Sequence, residues 1–178
     1  SRKLAYKLTK WSMNLKEKRK RFIITSGGGP GIMEAANRGA GEAKGLAVGL
    51  NITLPYEQSG NKWISKDLSL YFHYFFMRKF WFLYLAKALV VFPGGFGTLD
   101  ELMELLTLIQ TEKIRKKVPV VIYDKKFWNK IINFNQLVKM GTISKEDMNL
   151  FYITDSIDDA YKYLTKEIVK AHLKGKNF

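Results

Sequence analysis

Two hydrophobic rhythms alternate along the chain. Leu4, Leu8, Trp11 and Leu15 recur every three or four positions, which predicts an amphipathic helix over 3–17. Short apolar runs bounded by glycine, proline or polar residues predict buried strands at "RFIITS" (21–26), "LAVGLNI" (46–52), "LVVF" (89–92), "VPVVIY" (118–123) and "LFYITDS" (150–156). Helical patterns lie between them. "PGIMEAANRGAGEAKG" (30–45) has Pro30 suited to its first turn and Gly45 to its exit. "MRKFWFLYLAKA" (77–88), a long segment ending near Thr111, "KKFWNKIINFNQLVKMG" (125–141) and "IDDAYKYLTKEIVKAHLK" (157–174) complete the set. Asp155 or Ser156 is expected to cap the last of these. "TLPYEQSGNKW" (53–63) is read as a loop and "LSLYFHYFF" (68–76) as an aromatic strand, with His73 packed among its rings. This alternation is that of a single α/β domain over 1–178, with an open parallel sheet and helices on both faces.

Composition narrows the function classes. The 178 residues are 47% apolar and 26% charged, enough for a globular core. With no cysteine there is no disulfide, no thiol nucleophile and no thiolate metal site. The two histidines, His73 and His172, are far apart, so no metal is expected. The richest apolar stretch, residues 80–92, is interrupted by Lys87 and falls short of the roughly 20 residues a bilayer needs. No signal peptide is visible, and a cytoplasmic protein without membrane partners is expected. The net charge of +14 admits an anionic partner. Its lysines are dispersed, as in "KEKRKR" (16–21), "KIRKK" (113–117) and "KGK" (174–176), and no nucleic-acid module accompanies them, so nucleic acid is not the expected partner.

The candidate chemistry sits in two glycine loops, "TSGGGPGIMEA" and "VFPGGFGTLDE", each leaving a strand and opening a helix. Glycine lets a backbone approach a ligand closely, and a helix N-terminus offers unpaired N–H groups and a positive dipole end. In open α/β sheets ligands bind beyond the C-terminal ends of the strands, so two such loops on neighbouring strands would face one crevice. Neither loop is a known dinucleotide or triphosphate motif. G-x-G-x-x-G would need glycine at Ile32 or Asp100, the acid about 20 residues on is replaced by Asn51, and no G-x-x-x-x-G-K-[ST] occurs.

Thr98 and Glu101 match the capping box T-x-x-E, in which the glutamate satisfies only a backbone donor. The competing reading is a catalytic carboxylate. Leu99, Leu102, Met103, Leu105, Leu106, Leu108 and Ile109 predict a helix buried on most sides, which would leave Glu101 partly desolvated at the crevice. Arg78 and Lys79 stand isolated in "YFHYFFMRKFWF". They either snorkel from a buried helix or point at an anionic substrate.

"GGGPGIMEAANRGA", "FMRK" and "PGGFGTLDE" resemble the LONELY GUY (LOG) family, long labelled possible lysine decarboxylases. The signature P-G-G-x-G-T-x-x-E is met at every fixed position from Pro93 to Glu101, and the resemblance covers roughly residues 20–125. It implies a Rossmann-like fold that hydrolyses the N-glycosidic bond of nucleoside 5′-monophosphates, AMP or cytokinin riboside 5′-monophosphate, to free base and ribose 5-phosphate. The family's catalytic pair falls on Arg78 and Glu101. Gly94, Gly95, Gly97 and Thr98 fall on its phosphate loop, while Gly27, Gly28, Gly29, Glu34 and Lys79 would line the nucleotide pocket. The resemblance implies no cofactor, and a homodimer or larger homo-oligomer. Family members begin with a strand and a Gly-Ser turn before the first helix. This sequence starts inside that helix, so it is either trimmed or without that strand. The alternative is a non-catalytic nucleotide or molybdenum-cofactor carrier on the same fold. A lysine decarboxylase would need a Schiff-base lysine and a pyridoxal-phosphate site, for which no lysine can be nominated.

Overall fold

The computed structural model describes residues 1–16, 22–53 and 60–173. Most of the 16–21 and 53–63 stretches and the 174–176 lysines lie outside these. The chain divides into two compact units, Ser1–Leu85 and Ala86–Phe178.

The first unit opens with α1 (Arg2–Met13), shorter than the predicted helix, followed by β1 (Ile24–Ser26), α2 (Ile32–Glu42), β2 (Ala47–Ile52), β3 (Ser69–Phe72) and α3 (Phe75–Leu85). Its sheet is parallel, ordered β1-β2-β3, with Ser26 opposite Gly49 and Asn51 opposite Tyr71. Helices α1 and α2 touch backbone to backbone. A Cβ on Gly39 would lie 2.2 Å from the Arg2 carbonyl oxygen, so only glycine permits this approach, and Leu4, Ala5 and Ala40 are buried in the seam. At its edge the guanidinium groups of Arg2 and Arg38 donate to Glu42 at 2.6–2.9 Å and hold that carboxyl below its usual range.

The aromatic run 68–76 is not one strand. The chain bends at His73–Tyr74 and enters α3 two residues before the predicted helix start. His73 is therefore not a strand residue packed in a core. It is exposed, with its ring edge-on to Tyr74 at 4.7 Å.

The second unit holds β4 (Leu89–Val91), α4 (Phe96–Gln110), β5 (Val120–Tyr123), α5 (Lys125–Ile131), α6 (Phe134–Lys139), β6 (Phe151–Thr154) and α7 (Ile157–Ile168), which ends in a π-turn over Val169–Leu173. Its sheet is also parallel, ordered β4-β5-β6. Val120, Val121 and Ile122 on the middle strand are completely buried, as expected of a strand covered on both faces.

Two expectations are corrected here. The helix predicted over 125–141 is two, because the Asn133 side chain accepts the Gln136 N–H and restarts the chain as α6. Helix α4 is not buried on most sides. Only Leu102 and Leu105 are fully inside, and Met103 faces outward. Of the two proposed caps for α7, Ser156 accepts the Asp159 N–H, while the Asp155 carboxylate accepts the Lys125 N–H at 2.6 Å.

In both units the same frame recurs. An edge strand, β1 or β4, runs parallel into a glycine loop that opens a helix, α2 or α4. Two parallel three-stranded sheets flanked by helices make the chain an α/β protein of Rossmann type.

Candidate functional site

The first loop, Gly27–Gly31, is held by amide side chains that lie far apart in sequence. Asn37, fully buried on α2, accepts hydrogen bonds from the Ser26 hydroxyl (2.6 Å) and the Asn61 amide (2.9 Å), and donates to the Val48 carbonyl. Asn61 donates from its side chain to the Gly28 and Gly29 carbonyls at 3.0 and 3.2 Å, and from its backbone N–H to Gly28. Asn51 ties in the sheet by donating to the Ser69 hydroxyl and the Leu70 carbonyl. Gly28 has φ +80°, and a Cβ there would sit 1.8 Å from the Asn51 Oδ1, so both backbone and space demand glycine.

The carbonyls of this loop are thus turned inward onto Asn61, while its ends lead to the α2 N-terminus, where Glu34 stands half-buried in the first turn. Sequence reading missed Asn37, Asn51 and Asn61. Asparagine in a helix or strand reads as a surface residue, and only the fold shows that the three amides converge.

Arg78 belongs to the same unit. It projects from the second turn of α3, half-buried, with its guanidinium 5.2 Å from the Phe75 ring centre and 5.9 Å from that of Phe82. These are its i−3 and i+4 neighbours, so the helix itself supplies the aromatic clamp. Its Nη1 lies 3.6 Å from the point a Cβ on Gly27 would occupy. Arg78 therefore stands at the first glycine loop. Lys79, half-buried, follows it on α3.

The second loop is built differently. Gly95 is the residue before α4, with φ −94°, and Thr98 and Leu99 both donate their N–H to its carbonyl at 3.0 Å. Thr98 is thus the third residue of the helix and Glu101 the sixth, in the second turn. The capping box is not formed, because the helix starts two residues before the threonine that was to cap it. The Thr98 hydroxyl is held against the loop instead. A Cβ on Gly94 would come within 2.1 Å of Thr98 Oγ1, so the missing side chain at 94 makes room for that hydroxyl.

Gly95 and Gly97 have no such internal reason. Neither has positive φ, and a Cβ on either would meet nothing within 4 Å. Glycine inside a helix is about 1 kcal/mol worse than alanine. The first N–H groups of a helix have no intrahelical acceptor. With Thr98 and Leu99 engaged, the donors left at the start of α4 are those of Phe96 and Gly97.

His172, in the π-turn, hydrogen-bonds to the Lys87 and Lys117 carbonyl groups, and burial together with Lys87 holds its pKa below the usual value. An open cleft of about 270 Å³ beside α5, α6 and β6 is lined by Asn129, Asn133, Phe134, Met148 and Ile153, and contains no loop residue. Among the described residues no group of three His, Cys, Asp or Glu could hold a metal, and no helix is long and apolar enough to cross a membrane.

Solved structures share this fold. The chain superposes on the X-ray structure of TM1055 with a TM-score of 0.60 at 20% identity, covering 93% of this chain and 85% of that one. It superposes on the molybdenum cofactor carrier protein of Chlamydomonas reinhardtii with a TM-score of 0.61 at 21% identity, covering 94% and 86%. These likenesses define a Rossmann-type α/β protein. Within that class the chain belongs to the LOG family: the family model described as "Possible lysine decarboxylase" matches residues 33–164. It is also 30% identical over 81 residues to the "Probable cytokinin riboside 5′-monophosphate phosphoribohydrolase LOG4" of Oryza sativa subsp. japonica. That match spans 46% of this chain and 35% of the rice protein.

Proposed function

We propose that this protein hydrolyses the N-glycosidic bond of nucleoside 5′-monophosphates, AMP or a cytokinin riboside 5′-monophosphate, releasing free base and ribose 5-phosphate. The observation that carries the reading is the open N-terminus of α4. Gly95 and Gly97 forgo side chains that the fold would accept, directly ahead of a glutamate that takes no part in a cap. In this reading the 5′-phosphate accepts the N–H groups of Phe96 and Gly97 and the Thr98 hydroxyl, in the positive field of the helix end. Breaking the C1′–N bond sends its electron pair to the base and leaves oxocarbenium character on the ribose. The Glu101 carboxylate stabilises that cation and orients the attacking water. Arg78, pre-set by Phe75 and Phe82 beside Gly27, anchors the phosphate or ribose or stabilises the departing base. Gly28, Gly29, Glu34 and Lys79 complete the nucleotide contacts.

The likeness to a molybdenum cofactor carrier supports a second reading, a carrier without catalysis. The presence of both Arg78 and Glu101 favours the hydrolase. A second copy of the chain fits the stripe of Phe76, Phe80 and Tyr84 on α3, which lie four residues apart and more than half exposed, with Phe80 and Tyr84 stacked at 5.3 Å. Light scattering on Phe80→Lys should then give half the wild-type mass.

The deciding experiment incubates the protein with a panel of nucleoside monophosphates and follows free base by chromatography. Base release that Glu101→Gln lowers by about 10³-fold or more, the loss expected for a central electrostatic group, supports the hydrolase. An unchanged rate in that variant would remove Glu101 from the chemistry, and no turnover on any substrate would favour the carrier.

A further inference from the structure

The loop Gly94–Thr98 contains one side chain that nothing in the mechanism uses. Phe96, the first residue of α4, is 92% exposed, more than any other large apolar residue described, and it stands between two glycines with open space above them. A helical side chain leans toward the N-terminal end of its helix. In the first turn there is no preceding turn to receive it. The ring therefore overhangs the same end of α4 from which the N–H groups of Phe96 and Gly97 project. Exposing a phenyl ring beside an anion-binding helix end has no structural use, since the ring touches no core. It has a use if the anion carries a flat, apolar body.

We infer that Phe96 is the base-reading residue of this site: its ring stacks on the planar base of a nucleoside monophosphate whose phosphate lies on the α4 N-terminus. This rests on the proposed function and adds what the phosphate loop lacks, a means of telling a nucleotide from a bare sugar phosphate. Glycine at 95 and 97 then serves twice, letting the phosphate reach the backbone and letting a base lie flat against the ring without flanking side chains.

The test titrates AMP and ribose 5-phosphate separately into wild type, Phe96→Ala and Phe96→Trp by calorimetry. Base–aromatic stacking sets the scale of the effect, an affinity loss of about tenfold. Phe96→Ala should weaken AMP by about that much and change ribose 5-phosphate by less than about twofold, while Phe96→Trp keeps the AMP affinity. Because Phe96 packs against nothing, the melting temperature of each variant should match wild type. Equal weakening of both ligands, or of neither, would overturn the inference. So would unchanged AMP affinity in a Phe96→Ala protein of halved mass, which would assign the ring to contact between copies. AMP that binds without being cleaved would defeat the hydrolase reading and leave this titration valid. AMP that does not bind would defeat both.

Discussion

Replacing Gly97 by alanine separates stability from function. Gly97 is the second residue of α4, its φ is not positive, and a Cβ there meets no atom within 4 Å. Alanine at a compatible helical position restricts the unfolded chain and gains up to about 1 kcal/mol, less at a first turn than in a helix interior. For a chain of this size that raises the melting temperature by about 2–4 °C per kcal/mol. The second unit contains α4, so a transition that it undergoes alone would carry the shift. The ligand feels the opposite effect. A phosphate oxygen accepting the Gly97 N–H lies about 2.9 Å from the nitrogen, and the new methyl stands beside that path, where carbon needs about 3.5 Å. Loss of one or two hydrogen bonds to a charged group, about 1.5–3 kcal/mol each, lowers affinity by at least about tenfold. Thermal unfolding and base release on one preparation read both effects. A lower melting temperature would show that the fold itself needs this glycine. A higher one with unimpaired turnover would show that no phosphate lies there.

Gly28→Ala is the contrasting case. With φ +80° and Asn51 Oδ1 1.8 Å from the new carbon, left-handed strain and overpacking together should destabilise by about 2–4 kcal/mol, and a thermal shift near zero would show that the loop can relax. Lys116 makes stability depend on pH. Burial first, and the Lys87 ammonium second, lower its pKa from 10.5 to about 8. Between about 8 and 10.5 the unfolded chain therefore holds more protons than the folded one, and stability rises with pH across that window. Lys116→Met should raise the melting temperature at pH 7 and flatten the alkaline rise, whereas an unchanged pH slope would assign the effect to other groups.

Much of this protein is written in consecutive residues. Each strand–loop–helix frame is a local pattern: an apolar run, a glycine cluster, then a helical period. The alternation of such frames is enough to imply a parallel α/β fold. The phosphate-loop candidates, and Arg78 and Glu101 as separate candidate residues, come from short motifs for the same reason. What depends on distance was not legible. Asn61 and Asn51 meet at Gly28, and Asn37 joins Asn61 to Ser26, only because β1, β2, α2 and the chain after residue 60 are brought together, and a periodicity reports a face but never the neighbour across it. Competition between local signals also needed the structure. Thr98 and Glu101 have the spacing of a capping box, yet the chain turns helical at Phe96, and Asn133 divides a helix that its apolar spacing reads as continuous. Hydrogen bonds decide such boundaries, and their partners are set by tertiary packing. The sequence alone determined the frames and the candidate chemistry. The tertiary structure decided which residues hold the first loop, and that Gly95 and Gly97 leave the second open.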